Sequence, residues 1–274
     1  MQKNEEDMPT FRIAVRNFSG YRETVADCLD ALGAGKALRR RRLVWIKPNL
    51  VNDSPFPVTS DPEMIRAVLE YVRDNSRARI IIAEGCGDAG METHEVFESL
   101  GYDRLARECG VELVDLNREP LKRLRNPEFQ VLPEIYLPKR LFSGMLISVP
   151  VLKRHSLAGV TLAMKNLLGL APPKYYQQGG SWKKSFFHGR MQQSIFELNC
   201  CRKPDLSIVD ARVGLAEYHL GGAECFPAVN RILAGFDPVA VDAAGAGLLG
   251  MAWKDVGHIR MAHGVLGNAR PEEK

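Results

Sequence analysis

Apolar and polar positions follow two different periods along the first half of this chain. "FRIAV", "LVWIKPN", "ARIIIAEG" and "VELVDL" are short, rich in β-branched residues and almost unbroken, as strands buried on both faces are. Between them, residues 21–40, 61–75 and 93–109 place apolar side chains at three- and four-residue steps, which predicts helices. In "SDPEM", Asp61 is a capping residue, Pro62 suits a first helical turn, and Glu63 favours the positive end of the helix dipole. Strand and helix alternation of this kind predicts an α/β fold: a mostly parallel sheet with helices on both faces.

The second half is a less regular mixed α/β pattern. After the polar connection "NREPLKRLRNPEFQVLPE" come a strand at "LISVPVL", a helix over 157–168, a long loop "APPKYYQQGGSWKKSFFHG", a helix over 191–201, strands at "DLSIVDA" and "NRILAG", and a helix over 237–249. The pattern divides into a βαβ-type lobe over 1–134 and a second α/β lobe over 135–274, or folds as one compact domain. A connection as long as 172–189 is usually functional, so it is expected to lie over a site as a lid.

Charge changes the picture more than composition does. The net charge is +4 over 274 residues, yet residues 135–196 hold nine Lys and Arg and no Asp or Glu, leaving 28 bases against 33 acids elsewhere. One central segment is built to attract anions. Its core, "VPVLKRHSLAGVTLAMKNLLGL", is mostly aliphatic but carries Lys153, Arg154, His155, Lys165 and Asn166. If 157–168 is helical, Ala158, Thr161, Lys165 and Gly169 share one small, polar face. Lys165 and Asn166 would then point into a cavity with Lys153 and His155. The competing reading is a surface-snorkelling Lys165 and a hydrogen-bonded core His155.

Ligands of parallel sheets bind beyond the carboxyl ends of the strands. Lys47 and Asn49 in "IKPN", Glu84 in "AEGCGD", and Lys153 and His155 in "VPVLKRH" fall at such ends. Pro48 holds Lys47 in extended geometry and aims it past the strand.

The successive motifs "IKPNL", "TSDPEMI", "AEG", "VPVLKRHSLAGVTLAMKNLLGL" and "LAGFDPVAVDAAGAGLLG" resemble those of the domain of unknown function 362 family, from about Arg12 to Gly250. The resemblance implies motif roles for Lys47, Asn49, Glu84, Lys153, His155, Thr161, Lys165, Asn166, Asp210, Asp237 and Asp242. It also implies an association with iron-sulfur proteins, but the Cys-rich CxxCxxC motifs of many relatives are missing here. The six cysteines show neither cluster nor zinc spacing, so no cofactor is specified. Cys86, in a glycine turn, is read as either an exposed, activated thiol or an ordinary buried one. Asp210, Glu217, His219 and Glu224 have the chemistry of divalent-metal ligands, but their spacing fits no specific site.

These readings converge on an enzyme acting on a small anionic molecule, carboxylate- or phosphate-bearing, by isomerase- or lyase-like acid/base chemistry. His155, Lys165 and Lys153 would be catalytic. Lys47, Asn49, Glu84, Thr161, Asn166 and Asp242 would bind substrate, and Asp237 would cap a helix. Two alternatives stand beside this: an iron-sulfur-associated redox accessory protein, and a nucleic-acid-binding protein using the basic aromatic loop 174–190. The charged start "MQKNEEDMPT", and an apolar run over 141–152 interrupted by Ser143, Gly144 and Pro150, predict a cytoplasmic protein with no membrane partner.

Overall fold

A computed structural model describes residues 12–270, 272 and 273, so the charged start lies outside the described residues. The first half runs β1 (Arg12–Asn17), α1 (Tyr21–Ala31), α2 (Ala34–Leu38), β2 (Leu43–Lys47), α3 (Pro62–Asn75), β3 (Arg79–Glu84), α4 (Thr93–Ser99), α5 (Tyr102–Cys109) and β4 (Glu112–Asp115). A separate antiparallel hairpin follows, β5 (Leu121–Arg125) and β6 (Glu134–Pro138). The second half runs β7 (Met145–Ser148), β8 (Val151–His155), β9 (Gly159–Thr161), α6 (Ala163–Asn166), α7 (Pro173–Tyr176), α8 (Met191–Cys201), β10 (Leu206–Leu215), β11 (Arg231–Gly235), α9 (Pro238–Leu248), α10 (Gly257–Ala262) and β12 (Glu272–Glu273).

The main sheet has the order β12-β1-β11-β10-β7-β2-β3-β4. Strands β10, β7, β2, β3 and β4 are mutually parallel, whereas β11 is antiparallel to both its neighbours, β1 and β10. Strands from either side of residue 134 interleave in this sheet: β7 lies beside β2, and β11 beside β1.

Both faces are buried. Val44, Ile46, Ile80 and Ile82 point to one core with Val25 and Leu29 of α1 and Met64, Val68 and Val72 of α3. Trp45, Ile81 and Leu146 point to the other, with Ile195 and Leu198 of α8 and Val239 of α9. This two-sided burial is why the strands read as continuous apolar runs rather than alternating ones.

Two predicted helices are each split by a glycine in the left-handed region. Gly33 (φ 66°) separates α1 from α2, and Gly101 (φ 77°) separates α4 from α5. The predicted polar connection contains the β5–β6 hairpin. The larger correction is at 157–168, which is not one helix. Chain reversal after β8 returns Gly159–Thr161 as an antiparallel strand, and only Ala163–Asn166 is α-helical. Gly159 has φ +76°, and the β-branched Val160 and Thr161 that follow take extended backbone. Among the described residues, no helix is long and apolar enough to cross a membrane.

Candidate functional site

At the carboxyl ends of β2 and β3 the sheet opens into a cavity of about 280 Å3. Lys47, the last residue of β2, and Glu84, the last of β3, form an ion pair of 2.6 Å with both side chains almost fully buried. Glu84 also accepts from the backbone N–H of Leu50 (3.0 Å) and Gly85 (2.8 Å), so its two oxygens are committed. Lys47 donates as well to Asn166 Oδ1 (3.2 Å) and the Pro48 carbonyl (3.1 Å). Burial pushes the Lys47 ammonium down, and the Glu84 charge opposes this.

The second layer comes from the β8–β9 hairpin. Lys153 and Thr161 are cross-strand partners and so stand on one face. Lys153 donates to Asn49 Oδ1 (2.6 Å) and the Val58 carbonyl (2.5 Å). Burial holds its ammonium well below the usual lysine range, and the Lys165 charge adds to the effect. Thr161 Oγ1 is buried without a hydrogen-bond partner.

His155 Nδ1 accepts from the backbone N–H of Leu157 (3.1 Å) and Ala158 (3.2 Å), so the ring proton of neutral His155 sits on Nε2. Burial, then the neighbouring charges of Lys165, His219 and Lys153, drives the imidazole far below its ordinary range. His155 is a neutral hydrogen-bond donor. Its ring stacks on that of His219 at 3.8 Å, and the buried His219 Nδ1 has no partner.

Lys165, from the short α6, has no hydrogen bond or ion pair among the described residues. Burial, then the charge of Lys47, pushes it down to about 8. Eight of the nine residues proposed from sequence therefore line this one cavity: Lys47, Asn49, Glu84, Lys153, His155, Thr161, Lys165 and Asn166. Their roles within it differ. Asn49 and Asn166 are spent on lysines and on the Ser148 hydroxyl, whereas Lys165, Thr161, His155 Nε2 and His219 Nδ1 remain open.

Asp242 is the exception. It is fully buried outside the cavity and accepts from the backbone N–H of Ala163 (2.7 Å) and Met164 (3.0 Å). It thus anchors the start of the element that carries Lys165. Burial raises its carboxyl to about 8. Asp237 caps α9 through Val239 N–H (2.8 Å), and Asp210 accepts from Tyr21 Oη (2.7 Å); neither lines the cavity.

The loop 172–190 closes over the site, contributing Trp182, Lys184 and His188. Lys184 donates to Asn117 and the Ala171 carbonyl, and Lys183 to the carbonyls of Asp88 (2.9 Å) and Met91 (2.6 Å). Tyr175 stacks on Tyr136 at 3.9 Å, and Tyr176 and Phe187 are buried. Trp182 and Phe186, like Tyr175, are half-buried. Gly169, read from sequence as part of a small helical face beside Lys165, is set by the structure against the Lys47–Glu84 pair. A Cβ there would lie 2.7 Å from Lys47 Nζ and closer still to Glu84 Oε1.

Among the described residues, no three His, Cys, Asp or Glu side chains converge as a metal ion requires. Cys28, Cys86 and Cys109 are buried and Cys200, Cys201 and Cys225 partly so, scattered through the fold; they do not fit a cluster. Cys86 donates to the Met91 carbonyl at 3.2 Å, and burial raises its thiol, so it is not activated.

In a search of solved structures, the fold is similar to that of the lactate racemase apoprotein from Thermoanaerobacterium thermosaccharolyticum. The TM-score is 0.53 at 14% identity, with 91% of this chain covered. This chain spans 59% of the length of that protein. A search of curated proteins finds no match. A family model does match, over residues 44–247, spanning every lining residue from Lys47 to Leu220, and the chain belongs to the family described as domain of unknown function (DUF362).

Proposed function

We propose that this protein is an enzyme that binds a small anionic molecule, carboxylate- or phosphate-bearing, and transfers a proton next to the anionic group. The observation that carries the reading is Lys165: a half-buried ammonium with no acceptor among the described residues, in a cavity where the one lining carboxylate among those residues, Glu84, is consumed by Lys47. Lys47, Lys153, Lys165 and Lys184 line it together with three histidines, and no arginine does. An entering anion supplies the missing counter-charge in a region of low dielectric. Lysine ammoniums bind a carboxylate or a phosphoryl group alike, as point charges.

In this reading Lys153 and Lys165 hold the anion and stabilise negative charge as it develops. His155 donates from Nε2 to a substrate oxygen. Lys165, lowered to about 8, is close enough to neutral pH to carry a proton in both directions. The structural relative is named a lactate racemase, and lactate is a small carboxylate; that likeness covers the fold, and the reading rests on the cavity.

The test is thermal stability of wild type and Lys165→Ala against carboxylates, phosphates and short oligonucleotides. A ligand that binds only the native state raises its melting temperature. A carboxylate or phosphate that stabilises wild type and not the variant is expected. Stabilisation by oligonucleotides alone would overturn the reading.

A further inference from the structure

The cavity's four lysines are not equivalent. Lys47 is ion-paired, Lys153 donates to Asn49 and a carbonyl, and Lys184 donates to Asn117 and a carbonyl. Lys165 alone among them presents an uncommitted Nζ. It lines the cavity together with Lys153, His155, Thr161, His188 and His219, and its charge lowers the titration of the lysine and histidines among them. Among the described lining residues the one carboxylate, Glu84, is held by Lys47, so a bound anion is what would give Lys165 a counter-charge.

From this geometry we infer that Lys165 is a nucleophile that forms an imine with a 2-oxo carboxylate. The inference rests on the anion-site reading and names its substrate class. The carboxylate is held by Lys153, Thr161 Oγ1 and His155 Nε2, which leaves the adjacent carbonyl carbon facing Lys165. Desolvation beside other cations is a recognised way to activate an amine, and a value of about 8 leaves about a tenth of Lys165 as free amine at neutral pH. In the step, a C–N bond forms and the carbonyl C–O bond breaks. The oxygen leaves as water with two of the three ammonium protons, and the third stays on the iminium nitrogen. The charges balance with no oxidant or reductant. The iminium withdraws electrons from the neighbouring carbon, so proton removal there becomes easier.

The experiment is trapping. Native protein is incubated with pyruvate, 2-oxobutanoate or phenylpyruvate, reduced with sodium borohydride, and analysed by intact mass and peptide mapping, with melting temperature measured in parallel. Lactate, which has no carbonyl, is the control ligand, and Lys165→Arg, checked for folding by circular dichroism, the control protein. One reduced adduct on Lys165, absent with lactate and absent from the variant, is expected. An oxo acid that raises the melting temperature but leaves no adduct, or adducts only on other lysines, overturns the nucleophile and spares the anion site. Neither stabilisation nor adduct from any carboxylate overturns both.

Discussion

Lys47 Nζ lies 2.6 Å from Glu84 Oε1, and the two side chains, 1% and 2% exposed, close the carboxyl ends of neighbouring parallel strands. A buried pair adds little against a well-packed apolar substitute, but losing one partner leaves a charge stranded. Its value here is placement: it neutralises the one carboxylate that lines the cavity among the described residues and sets one wall of the site.

Glu84→Gln therefore strands the Lys47 ammonium and is expected to cost about 3–5 kcal/mol of stability. Urea unfolding of variant and wild type measures this. A change below 1 kcal/mol, on the order of an exposed pair, would show that the pair is not held as described.

Gly169→Ala tests the same junction by volume rather than charge. Its new methyl would meet Lys47 and Glu84 together. Overpacking of this kind costs about 1–3 kcal/mol. Loss of carboxylate-induced stabilisation is expected to accompany the lower melting temperature, whereas Gly247→Ala, with open space around it and no left-handed backbone, is expected to leave ligand stabilisation intact.

Asp242→Ala leaves two buried amides, of Ala163 and Met164, without acceptors, at about 1–3 kcal/mol each. Because these amides begin the element that carries Lys165, carboxylate affinity should fall along with stability. An unchanged affinity in a destabilised protein would confine Asp242 to folding.

The pH dependence has a definite sign. Lys165 is lowered to about 8 and Lys184 to about 7, so between those values and the ordinary lysine value of 10.5 the unfolded chain binds more protons than the folded one. These two lysines then contribute stability that rises with pH across roughly 8 to 10, while the buried thiols of Cys28 and Cys201, raised by burial, contribute in the opposite sense there. Affinity for a carboxylate without a carbonyl, such as lactate, moves the opposite way and falls as pH passes about 8, since with no imine to form the anion is paired with the charged Lys165. Melting temperatures with and without a carboxylate across this range read both slopes, and parallel curves would count against Lys165 as the anion partner.

Much of this was legible in the sequence. The strand and helix alternation identified the α/β sheet because burial on both faces leaves unbroken apolar runs such as "LVWIK" and "RIIIAE". The acid-free segment located the cations, and the carboxyl-end rule for parallel sheets collected Lys47, Glu84 and Lys153. Local periodicity failed at 157–168: three-residue spacing is satisfied equally by a helix and by a strand leading into a short turn, and pairing with β8 decided between them.

By itself, then, the sequence determined which elements form a parallel sheet and which residue types gather at its end, since those follow from burial and short-range chain geometry. Only the tertiary structure decided what each polar group does there. Lys47 found Glu84 and Lys153 found Asn49, Asp242 turned to two backbone amides, and Lys165 was left alone. Hydrogen-bond partners and desolvation come from segments far apart in the chain, and no local pattern encodes which of four lysines will be the unsatisfied one.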